Sequence, residues 1–511
     1  MGAVAYFLVA VVLYFATVVV YRLYLSPLAN IPGPKIAAAT SLYSAYHDLI
    51  RRGQYVRVIE EMHRRYGSVV RIQPDTVHVC DPRFIEKLYT QSPKHRRERH
   101  RTVLNMLQAP GSILATKDHD LHRRRRAVLN PYLSMQNVRR LESVISDTLA
   151  NLLRRMDLWA AAGPIPIRMN PPLRASTSDI IRIYAFGEDN RFLDQEDCNS
   201  PFFDVIGPSP ISHLGTHIPW LTYFMASLPP AIMTALIPRI GVFASFVIGL
   251  ESKVKAIKND KEWRGRPTIF HDMIRDETLP PAEKSTDRLT DEAMIITIAG
   301  SDTTASTLAA IIYEVLADKK LLDRLQAELR PAVGDGAKVD PSKLAALPFL
   351  NALIEEAIRF YPGATHRQDR VAPDEDLVYT DPDTGKSVVI PAGTGIGMAA
   401  PLVNRDKRIY GESADDFIPQ RYLDDPTLRK YQFSFSKGAR QCIGINLAYL
   451  ELQMFVAGIF SKYDLYDPTK QQTGPTLELY DSTRQEVEMY SDFVTPGLPK
   501  GSQGLRLIIR Q

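Results

Sequence analysis

The most informative segment of the chain reads Phe433-Ser434-Phe435-Ser436-Lys437-Gly438-Ala439-Arg440-Gln441-Cys442-Ile443-Gly444. It places an aromatic side chain, two glycines and an arginine around one cysteine, just before a long helical pattern. Gly438 and Gly444 allow a tight backbone path and the close approach of a flat ligand. Arg440 can pair with an acidic group on such a ligand. The segment therefore predicts a binding site for a flat ligand beside a cysteine.

The cysteine of this segment is suited to bind a metal. A thiolate at Cys442 would lie at the N-terminus of the following helix, where backbone N–H groups and the helix dipole stabilise negative charge. The flat ligand is then predicted to be haem, because a cysteinate ligand donates electron density to iron and favours O–O cleavage. Phe435 would shield the sulfur and tune its potential. The alternative is a buried inert cysteine, but this spacing should arise by chance in fewer than roughly one such chain in 10,000.

The composition excludes several other classes of protein. The 511 residues are 45% hydrophobic and include only three cysteines, so the chain is neither disordered nor a disulfide scaffold. Cys80, Cys198 and Cys442 form no CxxC metal clip, and so sparse a set suggests a reducing compartment. There are 62 Lys and Arg against 58 Asp and Glu, a formal charge of +4. That excess is too small for a dedicated nucleic-acid binder.

The N-terminal segment has the pattern of a membrane anchor. Residues 3–21 contain no charged side chain and would span roughly 28 Å as a helix, close to the thickness of a bilayer core. No basic residue precedes them, unlike in a cleaved signal peptide. Arg22 and Lys35 follow, which predicts a cytosolic location for the rest of the chain. We expect a single anchor over 1–25 and a proline-rich hinge over 26–40. The alternative, a buried core helix, is disfavoured because apolar residues surround this helix on all sides.

The remainder predicts a mainly α fold with small β-sheets. Helical patterns occur at about 54–66, 117–158, 172–186, 240–258, 286–317, 319–330, 347–361 and 443–464. Strand patterns occur at 69–72 and 77–80 as a hairpin, around a turn within 376–390, and at 486–489 and 504–509. The apolar, proline-rich stretch 208–238 is unlike a solvated linker and fits a surface that touches lipid or covers an apolar cavity.

The helix predicted at 286–317 contains Ala299-Gly300-Ser301-Asp302-Thr303-Thr304. A glycine inside a helix costs about 1 kcal/mol relative to alanine, so Gly300 needs a reason. Small residues let a flat ligand approach, and Ala299 and Thr303 share one face, which places a hydroxyl beside that space. A threonine hydroxyl can bond to the i−4 carbonyl or turn outward to a water. The alternative is a small-residue helix crossing in which Thr303 is satisfied by its own helix.

The pattern Phe435-x-x-Gly438-x-Arg440-x-Cys442-x-Gly444 resembles the haem-binding loop of the cytochrome P450 monooxygenases. Other family motifs follow in the same order along essentially the whole chain. The resemblance implies the P450 fold, a haem b cofactor with Cys442 as axial ligand, and one catalytic domain over 41–511. It further implies that Ala299 and Gly300 lie against the distal haem face, where Asp302 and Thr303 deliver protons to dioxygen.

A second family motif lies on the helix predicted at 347–361. Glu356 and Arg359 are spaced i, i+3, which by default is a surface ion pair worth about 0.3 kcal/mol. The run from Glu356 to Pro362 resembles the Glu-x-x-Arg helix of the family, and Phe417 to Arg421 resembles its partner segment. The resemblance implies a buried network of Glu356, Arg359 and Arg421 that braces the cysteine loop.

Basic residues supply a third group of candidates. His122 and Arg126 are spaced i, i+4 in a run of arginines that could simply be a solvated basic face. The resemblance implies that this helix holds the haem propionates. The usual tryptophan of the family is histidine at 122, so this assignment depends more on Arg126. Arg370 resembles another propionate partner. Arg123, Arg124 and Lys437 are candidates for a basic surface that binds an acidic electron donor.

The activity implied by the resemblance is monooxygenation, with dioxygen and a small apolar organic substrate. The chain has neither a Rossmann fingerprint nor a flavin domain, so electrons are expected from NADPH-cytochrome P450 reductase in the endoplasmic reticulum membrane. No nucleic-acid partner is expected. The segments Leu25 to Leu28, Ile31 to Pro34 and His122 to Ser134 resemble filamentous-fungal members of secondary metabolism, including trichodiene-oxygenase-like enzymes. A terpenoid or polyketide substrate is therefore expected.

Two other kinds of function remain open at the level of sequence. A haem-thiolate isomerase, dehydratase or desaturase would share Cys442, although the first two need no proton relay through Thr303. A non-catalytic membrane haem protein, such as a sensor, would not need the Asp302-Thr303 helix. The polar stretch Thr365 to Asp369 could hydrogen-bond an already oxygenated substrate or, equally, face solvent or a propionate.

Overall fold

A computed structural model of the protein describes residues 2–188, 191–260, 262, 264–266, 268–333 and 340–511. These residues are mainly helical with small sheets, which confirms the predicted fold class. The α-helices are α1 Gly2–Val20, α2 Lys35–Ala39, α3 Leu42–Ala45, α4 Tyr55–Tyr66, α5 Ile85–Leu88, α6 Arg101–Leu107, α7 His119–Leu129, α8 Met135–Val138, α9 Glu142–Ala161, α10 Asn170–Phe186, α11 Ser200–Ile206, α12 Leu214–His217, α13 Pro219–Ser227, α14 Pro230–Leu236, α15 Pro238–Asn259, α16 Ile269–Arg275, α17 Thr286–Ala317, α18 Lys319–Val333, α19 Pro341–Ala345, α20 Pro348–Phe360, α21 Ala400–Val403, α22 Lys407–Tyr410, α23 Gln420–Asp424 and α24 Ile445–Lys462.

The strands are β1 Val69–Gln73, β2 Thr76–Val79, β3 Glu98–Arg99, β4 Ile167–Arg168, β5 Arg370–Val371, β6 Leu377–Thr380, β7 Ser387–Ile390, β8 Gly395–Gly397, β9 Asp464–Leu465, β10 Thr476–Leu479, β11 Ser491–Phe493, β12 Thr495–Gly497 and β13 Arg506–Arg510. They form a sheet of order β1-β2-β8-β5-β3, a sheet of order β4-β13-β10-β9, and the pairs β11-β12 and β6-β7. The predicted hairpin is present as the antiparallel pair β1-β2, with Val69 opposite Val79. The sheet that contains β5 and β3 places Arg99 opposite Arg370.

Two predicted elements differ in the structure. The helical pattern at 117–158 is broken after α7, because Pro131 has no N–H to donate and its ring clashes with the preceding turn. The prediction of a strand at 486–489 is wrong. A 3₁₀ turn Arg484–Glu486, closed by a capping box between Thr483 and Glu486, occupies that region. The strand β11 begins only at Ser491.

The main apolar core lies between α9, α10, α17, α20 and α24. The predicted helix 286–317 is α17, which begins after Ser285, whose hydroxyl accepts the Arg288 N–H as an N-cap. Its buried residues run nearly the whole length of the helix, so α17 passes through the core. Gly300 lies where α17 packs against α10, since a Cβ there would meet Ile181 Cγ1 at 2.7 Å.

The N-terminal helix α1 contains no buried residue, and with the π-helical turn Tyr21–Leu25 it is long and apolar enough to cross a membrane. Helix α17 also passes that test of length and composition but is largely inside the core. The exposed apolar helix at the N-terminus suggests membrane anchoring.

The segment predicted as a hinge packs against the sheet. Leu28 and Ile31 are buried, and the Pro32 carbonyl accepts a hydrogen bond from the Arg71 N–H at 2.7 Å. A Cβ at Gly33 would lie 2.4 Å from the Arg71 carbonyl oxygen, so only glycine fits there. The globular end of this segment is therefore fixed to β1.

The apolar stretch 208–238 forms short helices, among them α12, α13 and α14. Large apolar side chains on α13 face outward, with Trp220 69% and Tyr223 68% exposed. Such a surface fits contact with lipid, which stays a prediction.

Candidate functional site

The cysteine loop is a tight turn held by its own backbone. The Cys442 N–H donates to the Phe435 carbonyl at 2.8 Å, and the Gln441 N–H donates to the Gly438 carbonyl at 3.0 Å. Gly438 has φ of +73°, and a Cβ there would lie 2.1 Å from the Tyr89 carbonyl oxygen. Glycine is therefore required at 438, as the sequence predicts. Gly444 is the N-cap of α24, so Cys442 lies just before the helix.

The sulfur of Cys442 faces space inside the protein. The side chain is exposed, yet burial within the fold raises the pKa of the thiol, opposed by the Gly444 N–H and the charge of Arg126. The Cys442 side chain can be both accessible and surrounded by protein only if its sulfur opens onto an internal cavity. A Cβ at Gly444 would meet only Cys442 Sγ, at 4.0 Å, so the space in front of the sulfur is clear. A flat ligand can approach the sulfur from this side.

Five basic side chains gather near the loop. They are Arg99, His122, Arg126, Arg370 and Arg440. Burial and the neighbouring arginines lower the pKa of His122 to about 2, of Arg440 to about 9, and of Arg99 well below its usual range. Within the described ranges, no carboxylate forms an ion pair with any of these four arginines.

Buried cations without counter-charges are costly, and a dianionic ligand would neutralise them. The two propionates of haem supply two negative charges of this kind. The Nε of Arg99 is buried without a hydrogen-bond partner, which leaves a donor for such a ligand. The donor set of one thiolate and several arginines thus fits haem. Sequence reasoning missed Arg99, because only the pairing of β3 with β5 places it beside Arg370.

Arg440 and Arg126 also hold the loop in place. The Arg440 guanidinium donates to the carbonyls of Thr116 at 2.6 Å and Lys117 at 2.8 Å, and more weakly to those of Arg97 and Asp118. Arg126 Nη1 donates to the Gln441 carbonyl at 2.6 Å. The pairing of Arg440 with an acidic ligand group stays a prediction, since its nitrogens contact backbone oxygens here.

Phe435 lies at the edge of the loop, half-buried, with its ring 5.7 Å from that of Tyr449. The ring is held beside the backbone that carries Cys442, because the Phe435 carbonyl accepts the Cys442 N–H. Its predicted effect on the potential of the sulfur is not tested by this contact.

The structure brings Glu356, Arg359 and Arg421 together. The carboxylate of Glu356 accepts from Arg359 Nε at 2.8 Å and Nη2 at 2.7 Å, from Arg421 Nε at 3.1 Å and from the Ile418 N–H at 2.7 Å. Glu356 and Arg359 are fully buried. Arg359 also donates to the carbonyls of Ala414 at 2.8 Å and Asn404 at 2.9 Å. Every charge in this network is hydrogen-bonded, as burial demands.

Asn404 links this network to the cysteine loop. Its Oδ1 accepts the Phe433 N–H at 2.8 Å, and its Nδ2 donates to Ser434 Oγ at 2.8 Å and to the Arg359 carbonyl at 3.1 Å. Ser434 Oγ donates in turn to the Ile358 carbonyl at 2.5 Å. Sequence reasoning missed Asn404 because one asparagine in an irregular segment gives no pattern.

The distal candidates lie on α17. Thr303 Oγ1 donates to the Ala299 carbonyl at 3.0 Å, so the hydroxyl is satisfied by its own helix in this conformation. Asp302 forms an ion pair with Arg174 of α10 at 2.6 Å. Ala299 is exposed although Ile296, Thr297 and Ser301 around it are buried, so this face of the helix opens onto free space.

Gly300 lies at a helix crossing, the alternative that the sequence left open. The absent side chain at Gly300 makes room for Ile181 of α10, because a Cβ would approach that side chain to 2.7 Å. Helix packing therefore explains this glycine without a flat ligand. A contact between Gly300 and haem stays a prediction.

The polar stretch 365–369 faces a buried polar cluster. Thr365 Oγ1 donates to Asp492 Oδ1 at 2.9 Å, and His366 Nδ1 is 2.7 Å from Asp492 Oδ2. His213, His366 and Asp492 have the spacing of metal ligands. His213 Nε2 contacts the Asp492 carbonyl and His366 Nδ1 contacts its carboxylate, whereas His213 Nδ1 and His366 Nε2 are buried without a hydrogen-bond partner. Arg367 is buried over the ring of Tyr55, 5.4 Å from its centre. Four residues of the stretch are buried and do not face solvent, whereas Gln368 is half-buried; the buried ones are Thr365, His366, Arg367 and Asp369.

The three residues of the predicted basic surface differ in their exposure. Arg123 and Arg124 are exposed on α7. Lys437 is half-buried, donates to the Arg429 carbonyl at 3.3 Å, and has its pKa lowered by burial. The two arginines are accessible to a partner, whereas Lys437 is partly used within the protein.

The fold and this site define a haem-thiolate enzyme. The chain matches the family model of Cytochrome P450 over residues 35–489 and belongs to that family. It is similar to cytochrome P450 monooxygenase tpcC of Cochliobolus heterostrophus, with 36% identity over 98% of this chain and 96% of that protein. Cytochrome P450 monooxygenase astB of Talaromyces wortmannii is 34% identical over 99% and 97%. N-acetyltryptophan 6-hydroxylase ivoC of Emericella nidulans is 32% identical over 98% and 96%.

These matches confirm the family predicted from the cysteine loop, and with it an oxidoreductase of the monooxygenase type. Members of this family use a haem-thiolate cofactor, dioxygen, an organic substrate and a redox partner.

Proposed function

We propose that the protein is a membrane-anchored monooxygenase that inserts one oxygen atom of dioxygen into a terpenoid or polyketide of fungal secondary metabolism. Residues 1–25 would anchor it, 26–40 would connect the anchor, and 41–511 would form one catalytic domain at the cytosolic face of the endoplasmic reticulum. The observation that carries the proposal is Cys442, whose sulfur faces internal space beside a cluster of arginines that have no carboxylate partner among the described residues.

The proposed cofactor is haem b. Cys442 would supply the thiolate that binds the iron, Phe435 would shield that sulfur, and Gly438 and Gly444 would leave room for the ring. Arg99, His122, Arg126, Arg370 and Arg440 would hold the propionates. When bound, haem supplies the activation of dioxygen for insertion into a C–H bond. The protein positions the substrate, excludes bulk water and moves protons.

Proton handling is proposed for Thr303 and Asp302. The Thr303 hydroxyl donates to the Ala299 carbonyl and would need to rotate outward to donate to dioxygen or to a water beside it. Asp302 is held at its place by Arg174, so the carboxylate has a fixed orientation on the same turn. Only the carboxylate is held in this way, and the Thr303 hydroxyl would have to rotate before it takes part in acid–base catalysis.

Electrons are proposed to come from NADPH-cytochrome P450 reductase. Arg123 and Arg124 are exposed on α7, the helix that also carries Arg126, so an acidic partner docked there would lie close to the cysteine loop. Reversal of both charges to glutamate should slow reduction by the reductase, and a rate equal to that of the wild type would contradict this docking site.

The experiment that tests the proposal is a ligand screen of the purified holoenzyme. The panel contains terpenoids, polyketides and N-acetyltryptophan, because one relative is named for a tryptophan derivative. A compound that shifts the Soret band is then incubated with NADPH, reductase and labelled dioxygen. One labelled atom in the product supports monooxygenation, whereas an unlabelled product indicates a desaturase, isomerase or dehydratase.

A matched pair of cysteine variants tests the ligand. Cys442→Ala should abolish the characteristic long-wavelength absorption of the reduced carbon monoxide form. Cys198→Ala, which removes a buried cysteine elsewhere in the fold, should retain it. Equal spectra for the two variants would refute Cys442 as the ligand. No NADPH consumption with any compound that binds would favour a non-catalytic haem protein.

A further inference from the structure

Gly363 lies directly against the proposed catalytic threonine. A Cβ at Gly363 would come within 2.9 Å of Thr303 Cβ, 3.2 Å of its Cα and 3.3 Å of its carbonyl oxygen. Ordinary contacts of this kind begin at about 3.4 Å, so a methyl group would have to displace its neighbour by about 0.5 Å. The φ of Gly363 is outside the left-handed region, so the requirement for glycine is one of space.

The segment around Gly363 is fixed on both sides. Two residues before it, the Tyr361 hydroxyl donates to the Glu314 carboxylate of α17, which also pairs with Arg484 at 3.1 Å. Two residues after it, the Thr365 N–H donates to the Val494 carbonyl at 2.9 Å, and its hydroxyl donates to Asp492. This segment therefore resists moving away from α17.

Helix α17 is also prevented from moving away from Gly363. On the side of α10, Gly300 is packed against Ile181, and Thr177 Oγ1 donates to the Ser301 carbonyl at 2.6 Å. The turn Gly300 to Thr303 is thus held between α10 and the segment that follows α20. An added group at position 363 would therefore press on Thr303 itself, through its Cβ, Cα and carbonyl oxygen.

We infer that Gly363 is a positioning residue that sets the place of the Thr303 hydroxyl. This inference rests on the proposed role of Thr303. The absence of a side chain at 363 lets the Thr303 Cβ adopt its position between the two supports, and with it the hydroxyl adopts its position at the free face of α17. A shift of about 0.5 Å in that hydroxyl should misdirect protons, since an error of about 1 Å can cost roughly 100-fold in rate.

The first test compares Gly363→Ala with Gly458→Ala in the holoenzyme. A Cβ at Gly458 meets Leu149 Cδ2 at 2.6 Å, so this control has a comparable steric conflict in the core, directed at α9. Both variants should lose some stability. Only Gly363→Ala should lower the product formed per NADPH, by roughly tenfold, and raise the release of peroxide. Equal coupling in the two variants would overturn the inference.

A double variant separates this inference from the proposed function. In a Thr303→Ala background, Gly363→Ala should change coupling no further, because the hydroxyl that it displaces is gone. If Thr303→Ala itself leaves coupling intact, the proposed proton role fails. If Thr303→Ala lowers the product formed per NADPH and Gly363→Ala does not, only the present inference fails.

A readout without turnover keeps the test independent of the substrate. The threonine methyl signals of labelled holoenzyme are recorded by NMR, and the Thr303 signal is assigned by its loss in Thr303→Ala. That signal should shift in Gly363→Ala and stay in place in Gly458→Ala. If Gly363→Ala does not bind haem, Ile181→Ala is added to give α17 room to move. Recovery of haem binding supports the inference, and no recovery overturns it.

Discussion

Replacement of Glu356 by glutamine removes one charge from the centre of a buried network without changing its shape. Glu356 accepts four hydrogen bonds, three of them from Arg359 and Arg421. Glutamine keeps one acceptor oxygen but presents an NH₂ group to a guanidinium. Two buried cations are then left without an anion, since Glu356 is the carboxylate that pairs with both.

The expected cost of Glu356→Gln follows from that burial. Loss of one partner of a fully buried pair costs about 3–5 kcal/mol, because the remaining charge stays desolvated. A folded domain has a net stability of about 5–15 kcal/mol, so this loss removes a large share of it. The damage should reach the cysteine loop, because Arg359 donates to the Asn404 carbonyl and Asn404 binds Phe433 and Ser434.

The assay is urea unfolding of the holoenzyme, followed by the carbon monoxide spectrum and by the rate of haem loss. Glu356→Gln should lower the unfolding free energy by at least about 3 kcal/mol and speed haem loss. The control is Glu412→Gln, which breaks the exposed Lys407–Glu412 pair in the segment next to Ala414, and it should behave as the wild type. A change within about 1 kcal/mol for Glu356→Gln would refute the reasoning.

Three further predictions concern other contacts of the fold. Asn404→Ala should cost about 3 kcal/mol and accelerate haem loss, because the buried Phe433 N–H and Ser434 hydroxyl each lose a partner; urea unfolding measures it. Arg174→Gln should lower product per NADPH about tenfold with an unchanged carbon monoxide spectrum, because Asp302 loses the partner that orients it. His63 provides a pH dependence: burial lowers its pKa from 6.5 to about 4, so the unfolded state binds the proton first as pH falls. The contribution of His63 to the unfolding free energy should be constant above about pH 6.5 and fall by about 3 kcal/mol towards pH 4, so His63→Gln should reduce the slope measured over that range.

The helical framework was predictable where caps and periodicity agree. Helix α17 occupies the predicted range 286–317 because Ser285 caps its start and its apolar pattern is uninterrupted. The pattern at 117–158 failed because the periodicity of α7 and α9 continues across Pro131 in sequence, whereas the backbone cannot. Local propensity gives the existence of helices more reliably than their interruptions.

The candidate site was predictable only where a motif has a fixed spacing. Cys442, Gly438 and the Glu356–Arg359 pair lie on such motifs. Arg99 and Asn404 do not lie on such motifs. Arg99 reaches the site by pairing with Arg370, about 270 residues away in sequence, and Asn404 reaches it by binding Phe433, about 30 residues away. Gly300 is an intermediate case. Its motif left a small-residue helix crossing open as the alternative, and the structure identifies Ile181 as the residue packed there, while contact of Gly300 with haem stays a prediction.

The cluster of arginines near Cys442 connects stability with function. Burial lowers the pKa of Arg99, Arg370 and Arg440. The charge of Arg370 lowers the pKa of Arg99 and Arg440 further, so the protein alone keeps these charges at a cost in free energy. The Glu356 network shows how the same fold satisfies buried cations when it has the acid to do so. The two groups of cations therefore differ in how they are neutralised. The arginines of the Glu356 network are neutralised by a carboxylate of the protein, whereas the arginines near Cys442 depend on an anion that binds. Binding of a dianionic cofactor should then stabilise the folded state through the same contacts that orient it.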